Sequence, residues 1–493
     1  MAPKIPAKKE TIQYLYDSMG ATIVDLSGEL RAICLSSMEP NNNLKEKPLS
    51  QSLRDLHNGL FFICIDLCSL MRAEIRAKNN IEKRFYFKTI FSAIREGYVF
   101  VYGFNDGQRK RSLWNELSYD SRETQKQEYQ RITDFLIAFG EKLEAHDIKN
   151  IRDISLHYND CMVAVYNVTT SLSDEEDVAL LICNFLAIIK DVLDYIRKSG
   201  IEQVNDDDIN NSKLNIELPL NTAFGKAFLK NDVLVNAIDQ NIKQASNRLD
   251  FFKSQYDKFN KLEHYLESAF EDSTIHEDFE PLDHVINVMM ILDFLRAELG
   301  SLIISYLNSE SEMEHKLLIR RIYVIKTSFL RHLYGYNDSE KTESIWNKIK
   351  ASIPLNSTNL LPQYNAIAEK IKQEIHVEDR KLRALFVHFS ERGKSNISRL
   401  ISTLDYVNPV QVFQSACNLI KLCPLINSFI LKLMESISAQ QKEKTIEKRN
   451  MLDDNLFKIY SSVQALNINE SAKKQYISSI KEMEAKFGQL LSK

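Results

Sequence analysis

YGFNDGQRKRSLWNEL at residues 102–117 and YGYNDSEKTESIWNKI at residues 334–349 decide how this chain is read. Seven of the sixteen positions are identical, and the chain's two tryptophans, Trp114 and Trp346, fall at matching places. Unrelated stretches would share about one position at a background near 6%, so two copies of one unit is the economical reading. The match runs outward from this core. IRDISLHYND at 151–160 meets LRALFVHFSE at 382–391, and ICNFLAII at 182–189 meets ACNLIKLC at 416–423. The offset stays within a loop's length of 232 throughout.

Composition says what the unit is made of. The chain has 493 residues and 44% hydrophobic content, enough for several proper cores. Its 13 glycines and 10 prolines are about 2.6% and 2.0% of the chain, against roughly 7% and 5% in ordinary proteins. So few turn-makers exclude sandwiches, barrels and α/β repeats. The fold class expected is all-α: two tandem copies of a helical-bundle unit related by internal duplication.

Each copy repeats one plan. A long apolar helix (about 53–77, then 284–307) is followed by a helix carrying basic residues (81–102, then 312–334). After the YG(F/Y)ND turn come a Trp-bearing segment, a helix near 123–146 or 361–377, a short helix, a polar loop and a final apolar helix (175–197 or 409–435). The boundaries expected are 1–45 as an N-terminal segment, 46–220 as the first unit and 221–283 as connecting helices. The second unit takes 284–439, and 440–493 form C-terminal helices. Residues 200–215, polar and acidic, read as a linker. Residues 21–35, ATIVDLSGELRAICL, are weakly patterned and compatible with a short hairpin.

Charge and cysteine usage narrow the setting. With 63 Lys+Arg against 67 Asp+Glu, net −4, the chain is not basic throughout, so nucleic acid would have to meet a local patch. Seven cysteines, none in a Cys-x-x-Cys pair, predict reduced thiols buried in apolar runs of a cytoplasmic protein. The start, MAPKIPAKKE, lacks the apolar core of a signal peptide. The most apolar stretch, 178–196, is interrupted by Lys190, Asp191 and Asp194, so no membrane span is expected.

The sharper chemical motifs are missing from the sequence. It holds no Gly-rich phosphate loop with Lys, no GxGxxG, no HExxH and no Gly-x-Ser-x-Gly. A single Glu-x-x-His, Glu312 to His315, falls short of the paired motifs of a di-metal bundle. The acidic stretch HEDFEPLDH, 276–284, reads as a solvated loop. No metal or cofactor is expected.

What remains is Arg-x4-His, present as Arg152…His157 and Arg383…His388 and nowhere else. Both occurrences fall at equivalent positions of the duplicated unit. Ile151, Ile154 and Tyr158, like Leu382, Leu385 and Phe389, form an apolar stripe beside the polar pair. These residues resemble the motif of the HEPN domain (higher eukaryotes and prokaryotes nucleotide-binding), an all-α bundle: Arg, a polar residue, three more residues, then His. Arg152, Asp153 and His157 fit it in full, whereas the second copy has Ala384 at the polar position. The resemblance implies a metal-independent endoribonuclease of bacterial defence or toxin–antitoxin type, with a site formed where two domains face each other. It also admits non-catalytic binding domains.

The residues support that chemistry on their own terms. RNA carries its nucleophile, the 2′-OH, so cleavage needs a proton acceptor, a proton donor and charge stabilisation at the phosphate. His157 and His388 suit proton transfer, and Arg152 and Arg383 suit phosphate oxygens. Asp153, four residues before His157, can orient its ring if both lie on one helix. Arg152 lies about 140° around the helix from His157, so one helix does not bring them together; two facing helices would. Lys83, Arg84 and Lys88, with Arg320, Arg321 and Lys326, are candidates for tracking the RNA backbone. Partners expected are RNA (tRNA among the substrates to test), an inhibitor or antitoxin protein, no membrane, and a second copy in a homodimer. The alternative is a non-catalytic all-α scaffold or an RNA- or protein-binding module.

Overall fold

Long stretches without glycine or proline leave little to interrupt a helix, and the chain folds accordingly. The structure, a computed structural model, describes residues 8–36, 48–110, 112–117, 125–146, 151, 162–171, 175–198, 232–270, 275–309, 311–355, 357, 359–375, 379–387, 390–391, 394–395, 397–465 and 470–491. The first half contains α1 (Lys8–Ser36), α2 (Pro48–Arg76), α3 (Asn80–Val101), α4 (Asp106–Arg109), α5 (Leu113–Glu116), α6 (Lys126–Ala145), α7 (Met162–Ser171) and α8 (Glu175–Lys198). The second contains α9 (Asp232–Phe270), α10 (Ile275–Asn308), α11 (Glu312–Leu333), α12 (Asp338–Glu343), α13 (Ile345–Ala351), α14 (Leu360–Gln373) and α15 (Asp379–Val387). After these come α16 (Ile397–Tyr406), α17 (Pro409–Ala465) and α18 (Glu470–Leu491). Between α15 and α16, Ser390–Glu391 pairs antiparallel with Lys394–Ser395. Everything else regular among the described residues is helix, and the fold is all-α.

The centre is built from α2, α3, α10 and α11. These helices pack within each half (α2 on α3, α10 on α11) and across the halves (α2 on α11, α3 on α10). Phe61, Phe62, Ile63 and Ile65 are each fully buried. Phe61, Phe62 and Ile63, consecutive in sequence, cannot share one helical face, so α2 is enclosed all round. A helix then lies along each first helix: α1 on α2, and α9 on α10. Shifted by 232 residues, α1 falls inside α9. Packing therefore groups the N-terminal helix with the first copy and the connecting helix with the second.

Two readings of the sequence are corrected here. Residues 21–35 are not a hairpin; they lie inside α1, where Tyr16, Ile23 and Leu30 are buried at seven-residue spacing. Residues 276–284 are not a loop; they form the early turns of α10, with Pro281 inside the helix.

The YG(F/Y)ND stretches make the same turn twice. Tyr102 and Gly103 both donate backbone N–H to the Tyr98 carbonyl, at 2.9 and 3.1 Å; Tyr334 and Gly335 both donate to Leu330, at 2.9 and 3.2 Å. Gly103 and Gly335 sit at φ 86° and 83°, the left-handed region that glycine enters without a Cβ penalty. Asn105 and Asn337 then cap α4 and α12, accepting from the N–H of Gln108 and Glu340, each at 2.9 Å. The tryptophans plug the cores behind these turns. Trp114 stacks on Tyr129 (4.8 Å) with Tyr195 edge-on (5.3 Å). Trp346 stacks on Tyr364 (5.0 Å) with Phe429 at 5.8 Å.

Around the central layer the two halves clasp each other reciprocally. In the first half α7 crosses to pack on α10 as well as α3; in the second, α16 crosses to pack on α2 as well as α11. The outer pairs are α6 with α8 and α14 with α17. The segment Pro409–Gln440 at the start of α17, and not 178–196, is the stretch whose length and apolar composition match a membrane span. Phe413, Ala416, Leu419, Ile426 and Leu433 of that segment are buried in the protein's own core, while Leu425 and Leu431 are exposed. Past Ile437 the helix continues for more than twenty further residues, meeting α18.

Two predictions follow from this framework. A Cβ at Gly335 would stand 2.5 Å from the Lys341 backbone nitrogen; Gly335→Ala is expected to cost on the order of 2–3 kcal/mol, read as a lower urea midpoint at unchanged slope. Burial holds the His57 and His332 imidazoles down at about 4, helped by Arg197 and Lys348 respectively. The unfolded chain therefore binds more protons than the folded one between about 6.5 and about 4, and stability falls on acidification through that window. Thermal melting of a His57→Gln, His332→Gln variant is expected to show a flatter dependence over the same range.

Candidate functional site at the seam between the copies

Charged residues in the middle of apolar helices meet across the two halves. Lys88 of α3 donates to Glu298 of α10, and Arg320 of α11 donates to Asp66 of α2 at 2.8 Å. These are the same pair twice: Lys88 and Arg320 are 232 apart, and so are Asp66 and Glu298. Each copy's second helix thus supplies the cation for the other copy's first helix. Arg321 also donates to the same Asp66 oxygen, and Arg72 of α2 donates to Glu314 of α11 at 2.9 Å. All these side chains are at least nine-tenths buried.

This corrects the expected basic track along α3 and α11. Lys88, Arg320, Arg321 and Lys326 are buried, because both helices are covered on every side and their cations face carboxylates or rings. Lys326 lies 5.7 Å from the centre of the Tyr323 ring. Lys83 and Arg84 are half-buried at the start of α3, with Lys83 3.8 Å from Glu74. The residues that sequence reasoning missed are Asp66 and Glu298. Their signal was present: an acid in the middle of each apolar run, at the offset of the duplication.

Of the motif residues, Arg152, Asp153, His157 and His388 lie outside the described residues. Arg383 is described: it is half-buried on α15 and its Nε donates to Ser328 Oγ of α11 at 3.0 Å. The inward side chains of α15 are Phe386, edge-on to Tyr323 at 5.4 Å, and Val387; Leu382 and Leu385 are half-buried at the margin. The helices on either side of His388 in sequence both reach the seam: α15 packs on α11 and α16 on α2. Val387, the residue before His388, helps line a small, half-open pocket with Ser92, Ala93 and Glu96 of α3 and Arg320, Arg321 and Val324 of α11. The pocket thus combines both copies and the last turn of the motif helix.

Other candidates are placed elsewhere. The His315 ring lies tilted against Tyr306, 4.8 Å between centres, and burial lowers its pKa; Glu312 pairs with Lys316 at 2.6 Å. Among the described residues no group of three or more His, Cys, Asp or Glu is placed to hold a metal ion. Cys64, Cys68 and Cys423 are buried, their thiols pushed up to about 12, 11 and 12, whereas Cys183 and Cys417 are exposed, contrary to the reading of uniformly buried thiols.

Compared with protein-family models, curated proteins and solved structures, the chain finds no match.

Removing one partner of a buried pair strands its charge. Lys88→Met is expected to cost about 3–5 kcal/mol, and the double variant Lys88→Met, Glu298→Met to recover most of that. A double-mutant cycle in urea measures both.

Proposed function

We propose that the chain is a HEPN-like, metal-independent endoribonuclease whose site is composite between the two copies. The observation that carries this reading is the packing of the helices on either side of the second motif. The helix bearing Arg383 packs on α11, the next helix packs on the other copy's α2, and Val387 lines a pocket shared with α3. In the reading, His157 and His388 transfer protons in the attack of the 2′-OH on the adjacent phosphate, which leaves a 2′,3′-cyclic phosphate and a 5′-OH. Arg152 and Arg383 neutralise the phosphate, and Asp153 orients His157. Ala384, exposed on α15, leaves the second copy without the polar residue, so the first copy carries the more complete half. The setting proposed is a bacterial cytoplasm, with RNA as substrate and a partner protein as inhibitor.

A second reading is favoured by the burial of Lys88, Arg320, Arg321 and Lys326: a non-catalytic all-α scaffold in which the inward cations hold the copies together. Purified protein incubated with total RNA and tRNA in EDTA separates the two. The nuclease reading expects cutting with cyclic-phosphate ends, abolished by His157→Ala and reduced or abolished by His388→Ala. Intact RNA, together with no retention of labelled RNA on a filter by the folded protein, leaves only the scaffold.

A further inference from the structure

We propose that Glu280 and His284, in the early turns of α10, bind a divalent metal ion of the zinc class. The first ground is the tautomer of His284. Its Nδ1 lies 3.0 Å from Ser352 Oγ, at the end of α13. That hydroxyl donates its own hydrogen to the Lys348 carbonyl at 3.1 Å, so toward the ring it can only accept. Nδ1 therefore carries the hydrogen, and Nε2 presents a lone pair. Metal-binding histidines are commonly oriented in this way, by a hydrogen bond from the other ring nitrogen.

The second ground is what Nε2 faces. Glu280 Oε1 stands 3.6 Å away, so two acceptors confront each other with no hydrogen between them. The separation is too long for a direct hydrogen bond. It is short of the roughly 4.5 Å that a bridging water sets between its two partners. It is close to the spacing, about 3.4 Å, between a nitrogen and an oxygen donor on a tetrahedral zinc ion. A proton on Nε2 is the competing occupant. Burial lowers the ring's pKa, with Lys348 acting in the same direction and Glu280 against it. The Lys348 charge also repels a metal ion, which makes the Glu280 carboxylate indispensable to the site.

The third ground is access. Glu280 is exposed and His284 half-buried, so an ion reaches the pair from solvent and keeps waters as its remaining ligands. A nitrogen donor selects zinc and its neighbours over magnesium and calcium. The positions 232 residues earlier are Pro48 and Ser52, so the pair belongs to the second half alone. A bound ion locks the tautomer that grips Ser352 and braces α10 against α13, on which it packs.

The site uses no residue of the cleavage motif, and RNA cutting is not its readout. The full chain is stripped with EDTA, dialysed and equilibrated with zinc chloride. Bound zinc is then counted beside that of the Glu280→Gln and His284→Gln variants. The parent chain is expected to hold about one zinc more than either variant, to melt at a higher temperature with zinc than without, and to keep the ion in excess magnesium. Because Glu280 is exposed, Glu280→Gln tests the site even where His284→Gln does not fold. Equal zinc content in the parent chain and Glu280→Gln, or displacement of the ion by magnesium, overturns the site and leaves only zinc held adventitiously at other side chains.

Discussion

The buried ion pairs between the copies, Lys88 with Glu298, Arg320 and Arg321 with Asp66, and Arg72 with Glu314, are the constraint on which the rest of the architecture depends. Desolvating this many charges is costly, and their attraction offsets that cost only in one arrangement. Apolar contact alone would tolerate α2 and α11 sliding past each other by a turn; these pairs do not. The register they fix bears on where α7 and α16 cross between halves. The N-terminal helix closes the arrangement from outside. Tyr16 of α1 lies against the guanidiniums of Arg72 and Arg76, at 4.2 and 4.3 Å, and Arg76 donates to the Asn308 carbonyl, its own equivalent position in the other copy.

The two halves are alike in their turns and unlike at the seam. Glu82 and Glu314 occupy equivalent positions near the starts of α3 and α11. Among the described residues only Glu314 has an arginine from the other half, and the residue 232 positions after Arg72 is Ile304. Glu82 instead accepts from the Lys78 backbone N–H at 2.8 Å and from Ser301 at 3.4 Å, and burial pushes its carboxyl up. The same divergence appears at Asp153 and Ala384. One side of the seam is therefore electrostatically stricter than the other.

How much of this the sequence displays depends on where the constraint acts. Gly103, Asn105, Trp114 and their twins are each fixed by local geometry, a positive φ, a cap or a ring stack, so the same residues recur and the repeat can be seen. The apolar runs of α2 and α10 are visible for the same reason. The seam is not, because a lysine on a helix looks the same facing water or a carboxylate two hundred residues away, and only the matching offsets of Asp66 and Glu298 betray the difference. The N-terminal helix hides for another reason. Its most deeply buried side chains, Tyr16, Ile23 and Leu30, come once in two turns, too thin a stripe to outweigh two glycines and scattered polar residues. Of the motif, Arg383 shows its surroundings, and α15 is seated most deeply by Phe386 and Val387, with Leu382 and Leu385 of the stripe half-buried beside them.

The crossed pairing of Lys88 with Glu298 and Arg320 with Asp66 also bears on how such a chain assembles. Each half carries both members of the exchange, an acid on its first helix and a cation on its second. Two copies of the first half, facing one another in the same way, would set Lys88 of each against Asp66 of its mate; two copies of the second would set Arg320 against Glu298. The seam thus sets two surfaces of like charge pattern against each other within one chain. Linkage raises the effective concentration of one half about the other, so the two surfaces need not match at every position, as Arg72 and Ile304 do not.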